Sequence, residues 1–328
     1  MSSWRSWHRP LTVFSAVMAF GALFSAVGLV VDDRILVGAP IWAKPFKFYL
    51  SFTAYGLTLA WMLAQTTWGR RTGWWAGNVV VLTALVEMVI ITGQVIRGKR
   101  SHFNAETPFD TNLYTVMGLT IVVLWAATLV IAVLLLRTRL ADRATAWAIR
   151  GGVLIALVGA GLGFLMAQPT AEQRAAGNLD TADVIGAHSV GVPDGGPAMP
   201  LTGWSTTGGD LRIPHFVGMH ALQLIPLFLI VLVLLAPRIA RLGDARVRLR
   251  LVRVATVGYA GLVALTTWQA LRGQPLIHPD TATFLAAGML LAAVAAGVGA
   301  ALRTTPAPDP VSVHTETEPA SDSEEFTA

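Results

Sequence analysis

Residues 94–118 read QVIRGKRSHFNAETPFDTNLYTVMG, and residues 269–288 read QALRGQPLIHPDTATFLAAG. Each stretch runs Gln-x-x-Arg-Gly, then a histidine, then Asp-Thr-x-x-aromatic-x-x-x-Gly. Each starts at the end of one apolar run and finishes inside the next, so the phrase marks the turn of a helical hairpin, written twice. Its physics is local. Gln and Arg are three positions apart and share a helix face. The Gly after Arg suits a helix stop. Asp before Thr fits an N-cap, and the later Gly permits close approach of a neighbouring helix.

Working outward, apolar runs of about 20 residues, the length that crosses a bilayer, lie near 11–31, 46–66, 74–96, 113–136, 146–167, 214–236, 251–271 and 281–302. The chain is 54% hydrophobic and 13% charged, against about 25% charged in a soluble domain. An all-α polytopic membrane protein with eight transmembrane helices is expected. The two hairpins fall on spans 3–4 and 7–8, and an even number of spans between them keeps both in one orientation. Tandem duplication of a four-helix unit follows, 4+4, with a pseudo-twofold axis along the membrane normal. Residues 1–140 form the first repeat and 141–302 the second, which carries the long loop 168–213. Residues 303–328 form a Pro- and acid-rich tail expected to be disordered; His314 lies in that tail, apart from any site.

Orientation follows from the arginines. Arg5, Arg9, Arg70, Arg71, Arg137, Arg139, Arg143, Arg150, the six between Arg238 and Arg253, and Arg303 all fall on one side, fifteen of the 24 basic residues. The positive-inside rule puts that side, with both termini, in the cytoplasm of a multi-pass inner (plasma) membrane protein. The first run is expected to stay as a helix, being longer than a cleaved signal core. The net charge of +5 then reads as membrane orientation, with no nucleic-acid partner. The absence of cysteine excludes disulfides, thiolate nucleophiles and Cys-ligated metals. No phosphate loop, dinucleotide fingerprint or Gly-x-Ser-x-Gly elbow is present, so no nucleotide cofactor is expected.

Ionisable groups concentrate on the outer side: Lys44, Lys47, His102, Asp110, His188, Asp194, Asp210, Arg212, His215, His220 and His278. An outward-facing site between the two halves is the reading. Histidines inside membranes tend to be functional; His102, His215, His220 and His278 are the candidate metal ligands. His215 and His220 differ by about 140° around a helix, so only a distorted first turn would bring both to one point. His188 is expected at the surface. Glu87, deep in span 3, is an intramembrane carboxylate and a candidate proton handler, with Asp110; Glu87 is either protonated or paired with Lys44 or Lys47. Lys44, Lys47, Gln94, Arg97, Arg212, Gln223, Gln269 and Arg272 are candidates to hold an anionic or lipid-like ligand. For Asp110, Asp280 and their threonines, capping alone is a sufficient role.

Two functions compete. The first is a membrane enzyme, redox or hydrolytic, with zinc, iron, copper or haem on the outer histidines. In its two four-helix halves the chain is similar to the haem A synthase family. That resemblance implies a haem-binding helical bundle, although the paired histidines of spans 2 and 4 in that family have no counterpart here. The second is a transporter or channel for a small anionic solute, which internal duplication and buried charge suit.

Overall fold

The computed structural model describes residues 4–140 and 142–303; the acidic tail and His314 lie outside the described residues. The chain is mostly helical. In order come α1 (Arg9–Val31), a two-residue hairpin β1 (Ile35–Leu36) and β2 (Ala39–Pro40), α2 (Ala43–Leu63), α3 (Arg70–Arg97), α4 (Pro108–Arg137) and α5 (Arg143–Met166). A loop follows, with a short helix α6 (Ala171–Ala176) and a small antiparallel pair, β3 (Ser189–Val190) and β4 (Gly209–Asp210). The chain then forms α7 (Arg212–Leu235), α8 (Ala245–Leu271) and α9 (Thr281–Leu302).

Among the described residues, seven helices are long and apolar enough to cross a membrane: all the long ones except α2. The eighth expected span does form a helix of 21 residues. Its Lys44, Lys47, Tyr49, Ser51, Thr53, Tyr55 and Thr58 keep its mean hydropathy below that of the others. The helices also run beyond the apolar stretches. α3 and α4 reach Arg70 and Pro108, and at α4 the Thr107 cap satisfies a free N–H of the added polar turn.

The repeated phrase builds the same stop twice. Gly98 and Gly273 both take left-handed backbone, with φ of 72° and 71°. In one copy Lys99 N–H reaches the Gln94 carbonyl at 2.8 Å and Gly98 N–H that of Val95 at 3.0 Å. In the other, Gln274 N–H reaches Gln269 at 3.2 Å and Gly273 N–H reaches Ala270 at 2.9 Å. This paired pattern satisfies the last carbonyls of a helix, and only Gly adopts the required φ without strain. The starts differ. Asp280 caps α9, accepting Thr283 N–H at 2.8 Å. Asp110 does not cap α4. Thr107 does, accepting Asp110 N–H at 3.1 Å, with Pro108 in the first turn. The Thr-Pro pair supplies an earlier cap and a preset φ.

The helices fall into two groups with matching internal pairings. α1 lies along α2 and α3 along α4; α5 lies along α7 and α8 along α9. α2 meets α3 as α7 meets α8, and the groups touch mainly through α4–α5 and, less, α2–α7. Small residues allow the close crossings. At α5–α7 a Cβ on Gly159 would sit 2.4 Å from the backbone of Gly218. A central apolar core, including Leu11, Leu59, Met62, Val80, Ile131, Leu135, Ile149 and Val153, joins both groups toward the face that carries the N-terminus. Two apolar grooves open at equivalent places, between α1 and α3 and between α5 and α8.

Candidate functional site

The opposite, distal face carries the polar groups. In the α3–α4 hairpin, Asp110 is fully buried and accepts three side-chain hydrogen bonds. Oδ1 accepts from Gln94 Nε2 at 2.8 Å and Arg97 Nη1 at 2.7 Å, and Oδ2 accepts from the Thr107 hydroxyl at 2.6 Å. Arg97 also covers the Phe109 ring. These residues form a clip that fastens the hairpin, with Asp110 as its centre. In the α8–α9 hairpin, Arg272 pairs with Asp280 and covers Trp268, while Gln269 donates to the Pro275 carbonyl at 2.9 Å. That copy is open to solvent. Arg97→Met is expected to cost about 3 kcal/mol, because it strips a buried carboxylate of its cation. Arg272→Met should change the melting temperature little. Thermal unfolding of the purified variants compares them directly.

The 167–211 loop crosses from the second group of helices onto the first. Its backbone is joined to the 98–107 turn: Ala105 N–H donates to Asp183 at 2.8 Å and Ile185 N–H to Phe103 at 3.1 Å. Further on, Lys47 Nζ donates to the Thr202 carbonyl at 2.9 Å. Arg212 forms a two-pronged pair with Asp210, closest contact 2.6 Å, and donates to the Gly203 carbonyl. Lys47 and Arg212, both expected to grip a ligand, each hold this loop.

Beneath it lie Lys44, His102, His188, Asp194 and His215, within electrostatic reach of one another. His188 is not at the surface as expected; its side chain is 21% exposed. Its Nδ1 meets Asp194 Oδ2 at 2.8 Å, and Asp194 also accepts the backbone N–H of His188 and Ser189. With Asp194 acting only as acceptor, the neutral ring carries its proton on Nδ1 and presents a lone pair at Nε2. His102 sits among the rings of Phe48, Phe103 and Tyr114, with Ser101 Oγ 3.1 Å from Nδ1. Lys44 differs from its neighbours. Its ammonium lies 6.0 Å from the Phe48 ring centre and, among the described residues, has no hydrogen bond and no carboxylate partner.

Burial lowers His102 well below the ordinary histidine range, and the Lys44 charge acts the same way. Burial also lowers His188, outweighing the Asp194 hydrogen bond that opposes it. Burial tends to raise Asp194, but the bonds from His188 and the two backbone N–H groups hold it below the usual carboxylate range. Because the folded imidazoles resist protonation, the unfolded chain takes up more protons once the pH falls below about 6.5, and stability drops with it. Asp194 adds stability that is present above the free-carboxylate value and is lost only in stronger acid. Limited proteolysis of the 167–211 loop is expected to run faster at about pH 5 than at about pH 7. A His102→Asn, His188→Asn double variant should flatten that difference.

The four histidines proposed as ligands do not converge. His215 Nδ1 meets the Gly159 carbonyl at 2.7 Å across the α5–α7 crossing. His220 lies further down α7, 3.3 Å from Gln223. His278 is exposed in the α8–α9 turn. Among the described residues, no group of three or more His, Asp or Glu side chains is placed to hold a metal ion. His102 and His215 come within electrostatic reach of each other, and His220 of His215, but the separation of the two hairpins leaves His278 apart from them. Glu87, deeper in α3 and 3% exposed, has the Thr120 hydroxyl 2.6 Å from Oε1. Sequence reasoning missed the His188–Asp194 pair. Val-Pro-Asp-Gly at 192–195 announces a turn, but nothing local says which side chain the aspartate will meet.

No protein family, no curated protein and no solved structure matches this chain.

Proposed function

We propose that this is a multi-pass membrane protein whose distal cluster binds a small anionic group, a carboxylate or a phosphate, through Lys44. The observation that carries the reading is a lysine that, among the described residues, has no hydrogen bond and no ion pair, with Asp194 only within electrostatic reach, beside His102 and His188 and beneath a fastened loop. An unpaired cation in a partly desolvated place is stabilised by an anion far more than one in open water. A neutral His102 can donate a hydrogen bond to that anion, whereas the Nε2 lone pair of His188 accepts only from a protonated oxygen, such as the P–OH of hydrogen phosphate. The apolar core toward the opposite face favours a blind site over an open channel.

The frame belongs to the same proposal. α2 acts as an eighth span, and the chain is a tandem duplication of a four-helix unit. The doubled helix stop and the matching helix pairings support it. Both termini lie in the cytoplasm of a plasma membrane, which the arginine distribution supports.

A second reading rests on the His188–Asp194 pair. A carboxylate-oriented imidazole with a free Nε2 has the form of a general base, so acid–base chemistry on the bound anion is the enzymatic version of the same site. Metal and haem chemistry on the outer histidines has no support in the donor geometry. Titration calorimetry of the detergent-solubilised protein with inorganic phosphate and with short carboxylates tests the anion reading. Saturable heat that responds to the anion and not to its counter-cation is expected. Elemental analysis of wild type and His220→Ala checks the metal reading, and stoichiometric iron, zinc or copper that falls in the variant would restore it.

A further inference from the structure

Glu87 is buried within a membrane-spanning helix, and its one hydrogen-bond partner among the described residues is Thr120. The Thr120 hydroxyl is 2.6 Å from Glu87 Oε1 and 3.0 Å from the carbonyls of both Val116 and Met117. A hydroxyl has one hydrogen to give. Threonines within helices give it to a carbonyl one turn back, as Thr111, Thr115 and Thr128 do here. If Thr120 does the same, the hydrogen of the 2.6 Å contact must come from Glu87. A carboxylic acid can supply it and a carboxylate cannot.

The surroundings agree. The single charged group within electrostatic reach of Glu87 is Lys44 of α2, and the two form no ion pair. α4 offers only the Thr120 hydroxyl, and α1 presents no titratable group to it. A lone carboxylate at this depth would be an uncompensated charge in an apolar bundle, which proteins avoid by taking up a proton.

We propose that Glu87 is an intramembrane proton-binding site, neutral near pH 7, whose occupancy is linked through Lys44 to the anion site. This linkage rests on the anion reading above. Without an anion, the Lys44 charge favours loss of the proton. An anion beside Lys44 cancels that field, so the proton is held more tightly, and by reciprocity the protonated protein binds the anion more tightly. Anion and proton are taken up together. No bond is made or broken other than O–H, and the proton comes from water.

Infrared spectroscopy of the full-length protein in detergent tests this, following the C=O stretch of protonated carboxyl groups against pH, with and without inorganic phosphate. Wild type is expected to show a band near neutral pH that E87Q lacks. Phosphate should raise the pH midpoint of that band by about one unit, and K44Q should abolish the response. E87Q should melt with wild type, since the Gln amide still donates to Thr120. The absence of any Glu87-dependent band near pH 7, or a marked drop in E87Q stability, overturns the proton site. A midpoint that ignores phosphate, while calorimetry shows phosphate bound, overturns the linkage and leaves the anion reading standing. Failure of phosphate to bind overturns the anion reading and the linkage together, and the band then decides the proton site alone.

Discussion

Gly159→Ala is expected to be among the most damaging small changes in the molecule. The added Cβ would lie 2.4 Å from the carbonyl carbon and 2.5 Å from the Cα of Gly218. Both are backbone atoms, so no side-chain rotation relieves the overlap, and α5 and α7 must part along the most extensive helix pairing in the protein. Parting them also pulls the His215 ring from the Gly159 carbonyl and opens the packing around it. A loss of at least about 3 kcal/mol is expected, read as a lower melting temperature and a poor yield of monodisperse protein. Gly161→Ala is the control. Its Cβ meets only Trp125 Nε1, at 3.8 Å, and removing a helical Gly gains up to about 1 kcal/mol. Equal melting temperatures for the two variants would refute the crossing.

Lys44→Gln is expected to weaken phosphate binding strongly while leaving the fold intact. The ammonium is engaged only with the Phe48 ring, at 6.0 Å, so folding loses little by its removal. Binding loses its one uncommitted cation. A charge-assisted contact in a partly desolvated place is worth about 1.5–3 kcal/mol, hence roughly a tenfold to hundredfold weaker dissociation constant. Lys47→Gln should act differently. Its ammonium holds the Thr202 carbonyl, so the variant should expose the 199–206 segment to protease and affect phosphate less. If Lys44→Gln binds phosphate as wild type does in calorimetry, the site assignment is wrong.

The parts of this architecture that were legible in advance are those written locally. Gln-x-x-Arg-Gly specifies a helix stop in both copies, and Asp-Thr the following helix start only at Asp280. The chain builds the stop identically at Gly98 and Gly273. Small residues are equally local: three glycines of α5, Gly152, Gly159 and Gly163, face α7. Legibility ended where partners are distant in sequence. Lys47 and Thr202 are 155 positions apart, and no periodicity reports which carbonyl an ammonium will find. The histidines misled for a related reason. Sequence places His102, His215, His220 and His278 on one side of a membrane, but a side is an area and a ligand set is a point. α2 is a third case. Its polar residues, which lower its hydropathy, are the ones that face its neighbours: Tyr49 meets Thr92 at 2.9 Å and Tyr55 meets Thr128 at 2.5 Å.

The 167–211 loop has a mechanical consequence. At one face the two helix groups are joined by the short stretch between Arg137 and Arg143. At the other they are fastened by the loop's backbone bonds to the 98–107 turn and by Lys47. Held at both ends and along the shared apolar core, the groups are braced against tilting. A single protease nick within the loop would remove its covalent continuity and leave that distal tie to hydrogen bonds alone.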